Sequence, residues 1–258
     1  MKNLVLLFLI CLYTGIVSAQ EIRQKYIGVE AGLAFFESNM LNVDFIRKDM
    51  SSYSTGYSTN NISSNTYKSY IGIKPEYYTL NGKLGGMVGI RFSRVDNIVG
   101  KNNYMAEGNN YFYFLYRQDG LTTEYLKVKQ IDQHAEYLGI PVEIRYFPFR
   151  PHFFRLYFKA GAEIDFRLQS KTDFSFDDKA MEIFQNDLTA KFEKPRAVNV
   201  LLYGAGGIRL GRKGKPSVSY EITLPYLYVT SEPTALANPI FGAGFQLNFQ
   251  IPIKSRVQ

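Results

Sequence analysis

The residues of this chain that could do chemistry are few. His134 lies between Asp132 and Glu136, a grouping that a lipid hydrolase could use together with a serine nucleophile. No serine partner is identifiable, so we predict a solvated histidine at the rim of the fold. The other histidine, His152, follows 18 residues later. At about 3.3 Å per residue of strand the two imidazoles cannot share a metal.

Carboxylates at Glu143, Glu163 and Asp165 could be paired for acid–base work. Each alternates with arginine or lysine along the chain, which favours a structural network of ion pairs. The sequence contains no GxSxG, HExxH, P-loop or EF-hand pattern. We therefore predict no enzyme, and no catalytic, cofactor-binding or metal-binding residue.

Arg155–Leu168 is the segment that defines the expected fold. Its even-numbered residues are uncharged, whereas its odd-numbered residues carry charges of both signs. A period of two indicates a β-strand with two different faces. A strand of a soluble sandwich usually has about 5–6 residues, whereas a tilted strand that crosses a bilayer needs about 9–11. We predict a membrane-spanning strand whose even-numbered face contacts lipid.

The same alternation recurs along the chain and predicts eight strands. They are Lys25–Phe36, Tyr67–Tyr78, Lys83–Arg94, Glu136–Phe147, Arg155–Leu168, Ala197–Leu210, Val218–Tyr228 and Ile240–Ile251. Short connections at Asn81-Gly82, Pro148–His152 and Gly211–Pro216 alternate with long polar ones. Outer-membrane barrels of bacteria show this asymmetry. The predicted fold class is all-β, an eight-stranded antiparallel transmembrane β-barrel with short periplasmic turns and long extracellular loops.

The long segments are Glu37–Thr66, Val95–Gln130 and Gln169–Arg196, and two of them contain further structure. In the second, two runs rich in Tyr and Phe meet at Asp119-Gly120, which predicts a hairpin that projects beyond the membrane. In the third, Asp177–Phe192 is compatible with a helix.

Alternation alone does not decide which face is inside, because a soluble lipocalin-like barrel has the same strands with apolar residues inward. The charge-free face is bulky and aliphatic in every strand, which favours lipid outside. The charges would then fill the lumen as a structural network, and they must be paired because an unpaired buried ion costs several kcal/mol. Its predicted members are Glu30, Lys74, Glu76, Arg91, Glu143, Arg145, Lys159, Glu163, Asp165, Arg167, Arg209 and Glu221.

Two further expectations follow from this orientation. Eight strands leave room only for side chains, so we predict no open pore. Aromatic residues near strand ends should form the interfacial girdle of the barrel. The expected girdle residues are Tyr26, Tyr77, Tyr146, Phe149, Phe153 and Tyr226.

The first 19 residues, MKNLVLLFLICLYTGIVSA, predict a secretory signal peptide that is removed on export. An uncleaved anchor is disfavoured because the apolar run is too short to span a bilayer comfortably. The one cysteine, Cys11, falls inside this segment, so we expect neither disulfide nor thiol chemistry. Residues 20–258 are predicted to form one barrel domain. The formal net charge is +7, but the basic residues are dispersed, so nucleic-acid binding is not expected.

Tyr137-Leu138-Gly139-Ile140-Pro141, continued by the alternating Val142–Phe147, resembles the "YLxIP" strand of the PorT-like outer-membrane β-barrel family of Bacteroidota. The resemblance implies an outer-membrane barrel. The namesake member takes part in protein secretion, so the resemblance also implies an accessory component of a type IX-like envelope complex.

The function predicted from the sequence is a structural or interaction role in the outer membrane, carried by the extracellular loops. The expected partners are outer-membrane lipid, lipopolysaccharide and an envelope protein, and the barrel itself is expected to be a monomer without a cofactor. The alternatives are the secretion role and a lipid-modifying outer-membrane enzyme.

Overall fold

The computed structural model describes residues 24–41, 62–79, 82–101, 111–119, 122–149, 153–212 and 214–253. The predicted signal peptide and Asn81 lie outside these residues. The strands are β1 (Gln24–Met40), β2 (Ile62–Tyr78), β3 (Leu84–Val88), β4 (Ile90–Lys101), β5 (Phe112–Asp119), β6 (Thr122–Tyr146), β7 (Phe154–Phe176), β8 (Val198–Leu210), β9 (Ser217–Tyr228) and β10 (Ala237–Ile253). A 3-10 helix (Lys179–Phe184) and helix α1 (Gln185–Lys191) follow β7.

One antiparallel sheet closes on itself. In β1, Val29 lies opposite Phe249 of β10 on one side and opposite Ile73 of β2 on the other. β3 and β4 act as one wall strand that is interrupted at Gly89, because both pair with β2 and β6. The wall therefore has eight antiparallel strands, which confirms the predicted fold. Closure removes the unpaired sheet edges that lipid could not satisfy.

The two faces of the wall see different surroundings. Aliphatic side chains cover the outside, where Ile71 is 62% exposed, whereas Arg145 on the inside is 0% exposed. A soluble barrel has the opposite arrangement, so the soluble alternative is wrong. An apolar band around a barrel is stable when lipid surrounds it.

The short turns run between Tyr78 and Leu84, Tyr146 and Phe154, and Leu210 and Ser217, and these strand ends lie at one end of the barrel, which we call the turn end. At the opposite end, which we call the loop end, the structure differs from the prediction because several strands are longer than expected. β6 starts at Thr122 and β7 runs to Phe176, so much of the expected loops is strand. In this extension, outward residues such as Asp96, His134 and Lys171 lie side by side on β4, β6 and β7. Water borders the outer face there, so the alternation of apolar and charged residues that marks the other strand segments is lost.

Of the predicted girdle residues, Tyr77, Tyr146, Phe149 and Phe153 are exposed as a girdle requires, whereas two tyrosines are not. Tyr26 and Tyr226 are each 1% exposed and point into the lumen. Tyr26 belongs to the alternate residues of β1 that point into the lumen. Tyr226 turns inward because β9 carries an extra residue: Thr223 lies opposite Gly244, yet Tyr226 lies opposite Gly242. Such a bulge moves every later side chain of the strand to the other face.

Inward aromatic side chains lie across glycines on the neighbouring strand. The directly opposed pairs are Tyr70 and Gly32, Tyr78 and Gly85, Tyr157 and Gly207, Tyr203 and Gly161, and Phe36 and Gly242. A Cβ added to any of these glycines would lie 2.3–2.6 Å from its ring. The missing side chain of each glycine therefore makes room for a large ring in a narrow lumen.

Adjacent glycines on β8 test this packing. We expect Gly207→Ala to lower the free energy of unfolding by about 1–3 kcal/mol, as for other overpacked sites, because its Cβ would meet the Tyr157 ring at 2.5 Å. Gly206→Ala is the matched control, since nothing lies within 4 Å of a Cβ there, and it should change stability by less than about 0.5 kcal/mol. Urea unfolding in phospholipid vesicles, followed by circular dichroism, measures both. Equal stabilities for the two variants would contradict the packing argument.

Candidate functional site

The middle of the lumen is organised around two buried side chains, Glu143 and Arg91. Glu143 accepts hydrogen bonds from Lys74 Nζ at 2.6 Å, Lys159 Nζ at 3.1 Å and the Tyr203 hydroxyl at 2.7 Å. These donors come from β2, β7 and β8, so a single carboxylate links strands on several sides of the barrel.

Arg91 of β4 joins this centre to two further acids. Its Nε and Nη2 donate to Glu30 Oε1 at 2.9 and 2.7 Å, and its Nη1 pairs with Glu163. Its guanidinium carbon lies 4.2 Å from the centroid of the Tyr70 ring. A guanidinium suits this position because it stacks on an aromatic face while it donates in several directions.

Further ion pairs, which share Glu163 and Lys159 with this centre, lie towards the two ends of the lumen. Towards the loop end, Lys68 Nζ lies 3.0 Å from Glu163 Oε1 and 2.6 Å from Asp165 Oδ2. Towards the turn end, Arg145 Nη2 lies 2.8 Å from Glu221 Oε1. Both side chains of each pair are buried, so the loss of one partner would destabilise the fold far more than it would at an exposed ion pair.

The structure places nearly all predicted network residues together. Arg167 differs, because it is only partly buried and lies opposite Tyr137, beyond Asp165. Lys68 and Arg155 were not predicted as members. Both belong to the alternate residues of their strands that point inward, and both are nine-tenths or more buried. The alternation of inward and outward residues along each strand is the sequence signal that could have identified them.

β10 completes the lumen with uncharged amides. Gln246 Nε2 donates to Glu30 Oε2 at 2.8 Å, and Asn248 Nδ2 donates to Glu76 Oε1 at 3.1 Å. Gln250 Nε2 donates to a serine hydroxyl of β9 at 2.7 Å. Each carboxylate oxygen has two lone pairs, so Gln246 and Asn248 can donate to glutamates that already pair with cations.

Chemically, this arrangement holds its acids and bases against one another. The described parts of the chain bring together no group of three or more His, Cys, Asp or Glu side chains that could hold a metal ion. Nor does a helix of sufficient length and apolarity to cross a membrane occur among them.

The loop end carries a second cluster, which is hydrophobic. Its buried members are Val99, Phe112, Phe114, Leu126, Val128, Ile131, Phe174, Leu188 and Leu236. Met40 of β1 and Ile62 of β2 pack against it, so strands from most of the mouth contribute. We call this assembly the cap; it comprises β5, the loop-end parts of β4, β6 and β7, the two short helices and the connection 229–236.

Side-chain hydrogen bonds fasten the connection 229–236 across the mouth. Asn97 Nδ2 donates to Thr234 Oγ1 at 2.8 Å, and the Ala235 amide donates to Gln133 Oε1 at 3.1 Å. Gln133 Nε2 also donates to Thr172 Oγ1 at 3.1 Å. The cap is therefore tied to three wall strands as well as packed on them.

The segment Asp177–Phe192, predicted as a helix, forms the two short helices, which dock on the hairpin of β5 and β6. Asp178 caps the first helix by accepting from the Ala180 amide at 2.9 Å, and Leu188 of α1 is 0% exposed. The Tyr116 hydroxyl donates to Asp187 at 3.2 Å, and Lys191 Nζ donates to the Tyr116 carbonyl at 2.5 Å. Partial burial, together with the hydrogen bond to Asp187, raises the pKa of Tyr116.

His134 lies on the outward face of β6, apart from the lumen network. Asp96 and Lys171 are its neighbours on the adjoining strands, and neither is a serine. Asp132 and Glu136 flank it along the strand as predicted. The hydrolase arrangement considered from the sequence therefore acquires no nucleophile from the neighbours opposite His134.

The closed wall, the outward apolar band and the ion-filled interior define a membrane β-barrel. Among solved structures, the outer membrane protein OprG from Pseudomonas aeruginosa is similar over 91% of this chain and 98% of its own, with 12% identity and a TM-score of 0.47. Ail, the attachment invasion locus protein of Yersinia pestis, solved in complex with the heparin analogue sucrose octasulfate, is similar over 91% of this chain and 100% of its own, with 12% identity and a TM-score of 0.39. Neither a family model nor a curated protein matches the chain, so the resemblance to the PorT-like family stays a prediction.

Proposed function

We propose that this protein is an outer-membrane β-barrel without an open channel, which presents its cap to a binding partner outside the cell. The cap carries the proposal. Loops that only connect strands need no hydrophobic core, yet here such a core is built from β5, β6, β7 and α1. An ordered surface binds a partner at a lower entropic cost than flexible loops do. The asymmetry of connection lengths supports a periplasmic turn end and an external cap.

A filled lumen should not conduct ions. We expect the protein in a planar bilayer to give no current steps above the leak of the bilayer, because large buried side chains such as Arg91, Tyr70 and Tyr203 occupy the lumen of an eight-stranded barrel. A porin added to the same bilayer is the positive control. Reproducible unitary steps from the purified barrel alone would contradict the absence of a channel.

In-cell photo-crosslinking tests the role of the cap. A photoreactive residue at position 183, where Ile183 is 76% exposed on the cap, should give a discrete adduct. The same residue at position 149, where Phe149 is 64% exposed at the turn end, is the matched control and should not give this adduct. Leu188→Ala, which loosens α1, should weaken the adduct at position 183. The proposal fails when position 183 and other exposed cap positions give no adduct, or when Leu188→Ala leaves the adduct unchanged.

Deletion of the gene separates this function from its two alternatives. The secretion role implied by the family resemblance requires a loss of secreted protein, and a lipid-modifying enzyme requires altered lipid A in mass spectra. We expect both to match the parent strain. A secretion defect restored by the wild-type gene would favour the secretion complex over the proposed function.

A further inference from the structure

The buried charges of the lumen do not balance. The buried cations of the described residues are Lys68, Lys74, Arg91, Arg145, Arg155, Lys159 and Arg209, and the buried acids are Glu30, Glu76, Glu143, Glu163, Asp165 and Glu221. Positive charges thus exceed negative ones by one. A buried charge without a partner is strongly destabilising, so the cation in excess identifies a place where an anion would be stabilising.

Arg155 is that cation. Its side chain is 5% exposed, and its Nε and Nη2 atoms have no hydrogen-bond partner. These two nitrogens form one edge of the planar guanidinium, the edge that binds a carboxylate or a phosphate through two parallel N–H···O bonds. The Phe147 ring, whose centroid is 5.2 Å from the guanidinium carbon, contacts Arg155.

A second buried arginine on the neighbouring strand also has an unused donor. Arg209 lies directly opposite Arg155 on β8 and is 1% exposed. Its Nε donates to Ser217 Oγ at 2.8 Å and its Nη1 donates to the Tyr78 hydroxyl at 2.9 Å, whereas its Nη2 has no partner. Arg209 Nη1 also lies 3.7 Å from Glu76 Oε2, whereas no carboxylate of the described residues pairs with Arg155, so Arg155 is the cation that an added anion would stabilise.

The site lies at the turn end, where the surrounding charge is also positive. Phe154 and Leu210 form the last rung of the β7–β8 ladder, so Arg155 is one rung inside the mouth. The described residues of the three turns include no acid, and the basic ones among them, Lys83, Arg212 and Lys215, are exposed. Clustered positive charge raises the local concentration of anions and speeds their entry.

We propose that Arg155 and Arg209 form an oxyanion-binding site just inside the turn end of the barrel. The ligand is a carboxylate or phosphate group that enters from the solvent at that end and is held side-on by Arg155. This site is independent of the cap and of the function proposed for it.

Calorimetry on the full chain folded in detergent micelles at low salt tests the site, with inorganic phosphate and acetate as the two probes. We expect saturable binding of one oxyanion per barrel, weakened at least tenfold in Arg155→Met. Arg155→Lys keeps the charge but lacks the two-nitrogen edge, so we expect it to bind at least fivefold more weakly than the wild-type protein. Arg94→Met, at an exposed arginine of the loop end, is the matched control and should stay within twofold.

Each result decides the proposal. Saturable binding of either probe supports the proposal, and the probe that binds more tightly identifies the oxyanion that the site prefers. Binding of neither probe to the folded wild-type protein overturns it. Unchanged affinity in Arg155→Lys also overturns it, and this variant decides the matter when Arg155→Met does not fold.

Discussion

Arg91→Met is expected to lower the free energy of unfolding of the barrel by about 3–5 kcal/mol, the cost of breaking a buried ion pair from one side. Methionine fills much of the same volume, so the loss is mainly electrostatic. It leaves Glu30 and Glu163 without the guanidinium that pairs with both. Protonation of either acid at low pH would relieve part of this cost.

The matched control lies on the same strand. Arg94 Nε is 2.8 Å from Asp96 Oδ1, but the Arg94 side chain is 48% exposed. Because exposed pairs contribute about 0.2–1 kcal/mol, Arg94→Met should leave stability nearly unchanged. Urea unfolding in phospholipid vesicles compares the variants, and circular dichroism is the suitable signal because the chain has no tryptophan. Similar losses for both variants would mean that the lumen network does not stabilise the fold.

Ile71→Arg is expected to cost about 2–4 kcal/mol, as for arginine near the midplane of other membrane barrels. Ile71 is 62% exposed and lies between Tyr67 and Tyr77 on the outward row of β2. In a soluble protein, a charge at such an exposed position would be almost neutral. The predicted loss comes from lipid, which cannot solvate the guanidinium.

Ile183→Arg separates exposure to lipid from exposure to water. Ile183 is 76% exposed, but it lies on the cap, so the same substitution should change stability by less than about 0.5 kcal/mol. Both variants are measured by urea unfolding in vesicles of the same lipid. A tolerated Ile71→Arg would place the apolar band outside the bilayer.

The strand pattern predicted the wall well because lipid imposes a strict period of two. Tyr26 follows the period and still points inward, but the other failures occur where the period breaks. Tyr226 follows an extra residue in β9, and a bulge of this kind has no reliable mark in the sequence. The extensions of β6 and β7 have water outside, so polar residues such as His134 occupy outward positions there.

The composition of the network was more predictable than its pairing. Parity places Lys68 inside, but nothing local shows that it meets Glu163 and Asp165, which are more than 90 residues away in the chain. Those contacts depend on how the closed sheet is staggered. Arg167 has the correct parity, yet its position beyond Asp165 leaves it only partly buried.

β10 carries no ionisable side chain from Ala237 to Ile253, and this bears on how the ring is sealed during biogenesis. β10 reaches Glu30 and Glu76 with neutral amides, while Lys74 of β2 and Arg145 of β6 compensate those acids. Insertion of β10 between β9 and β1 therefore brings no ionisable side chain of its own into the lumen. The buried ions of the described lumen belong to the other strands, so the desolvation cost of barrel assembly falls on those strands.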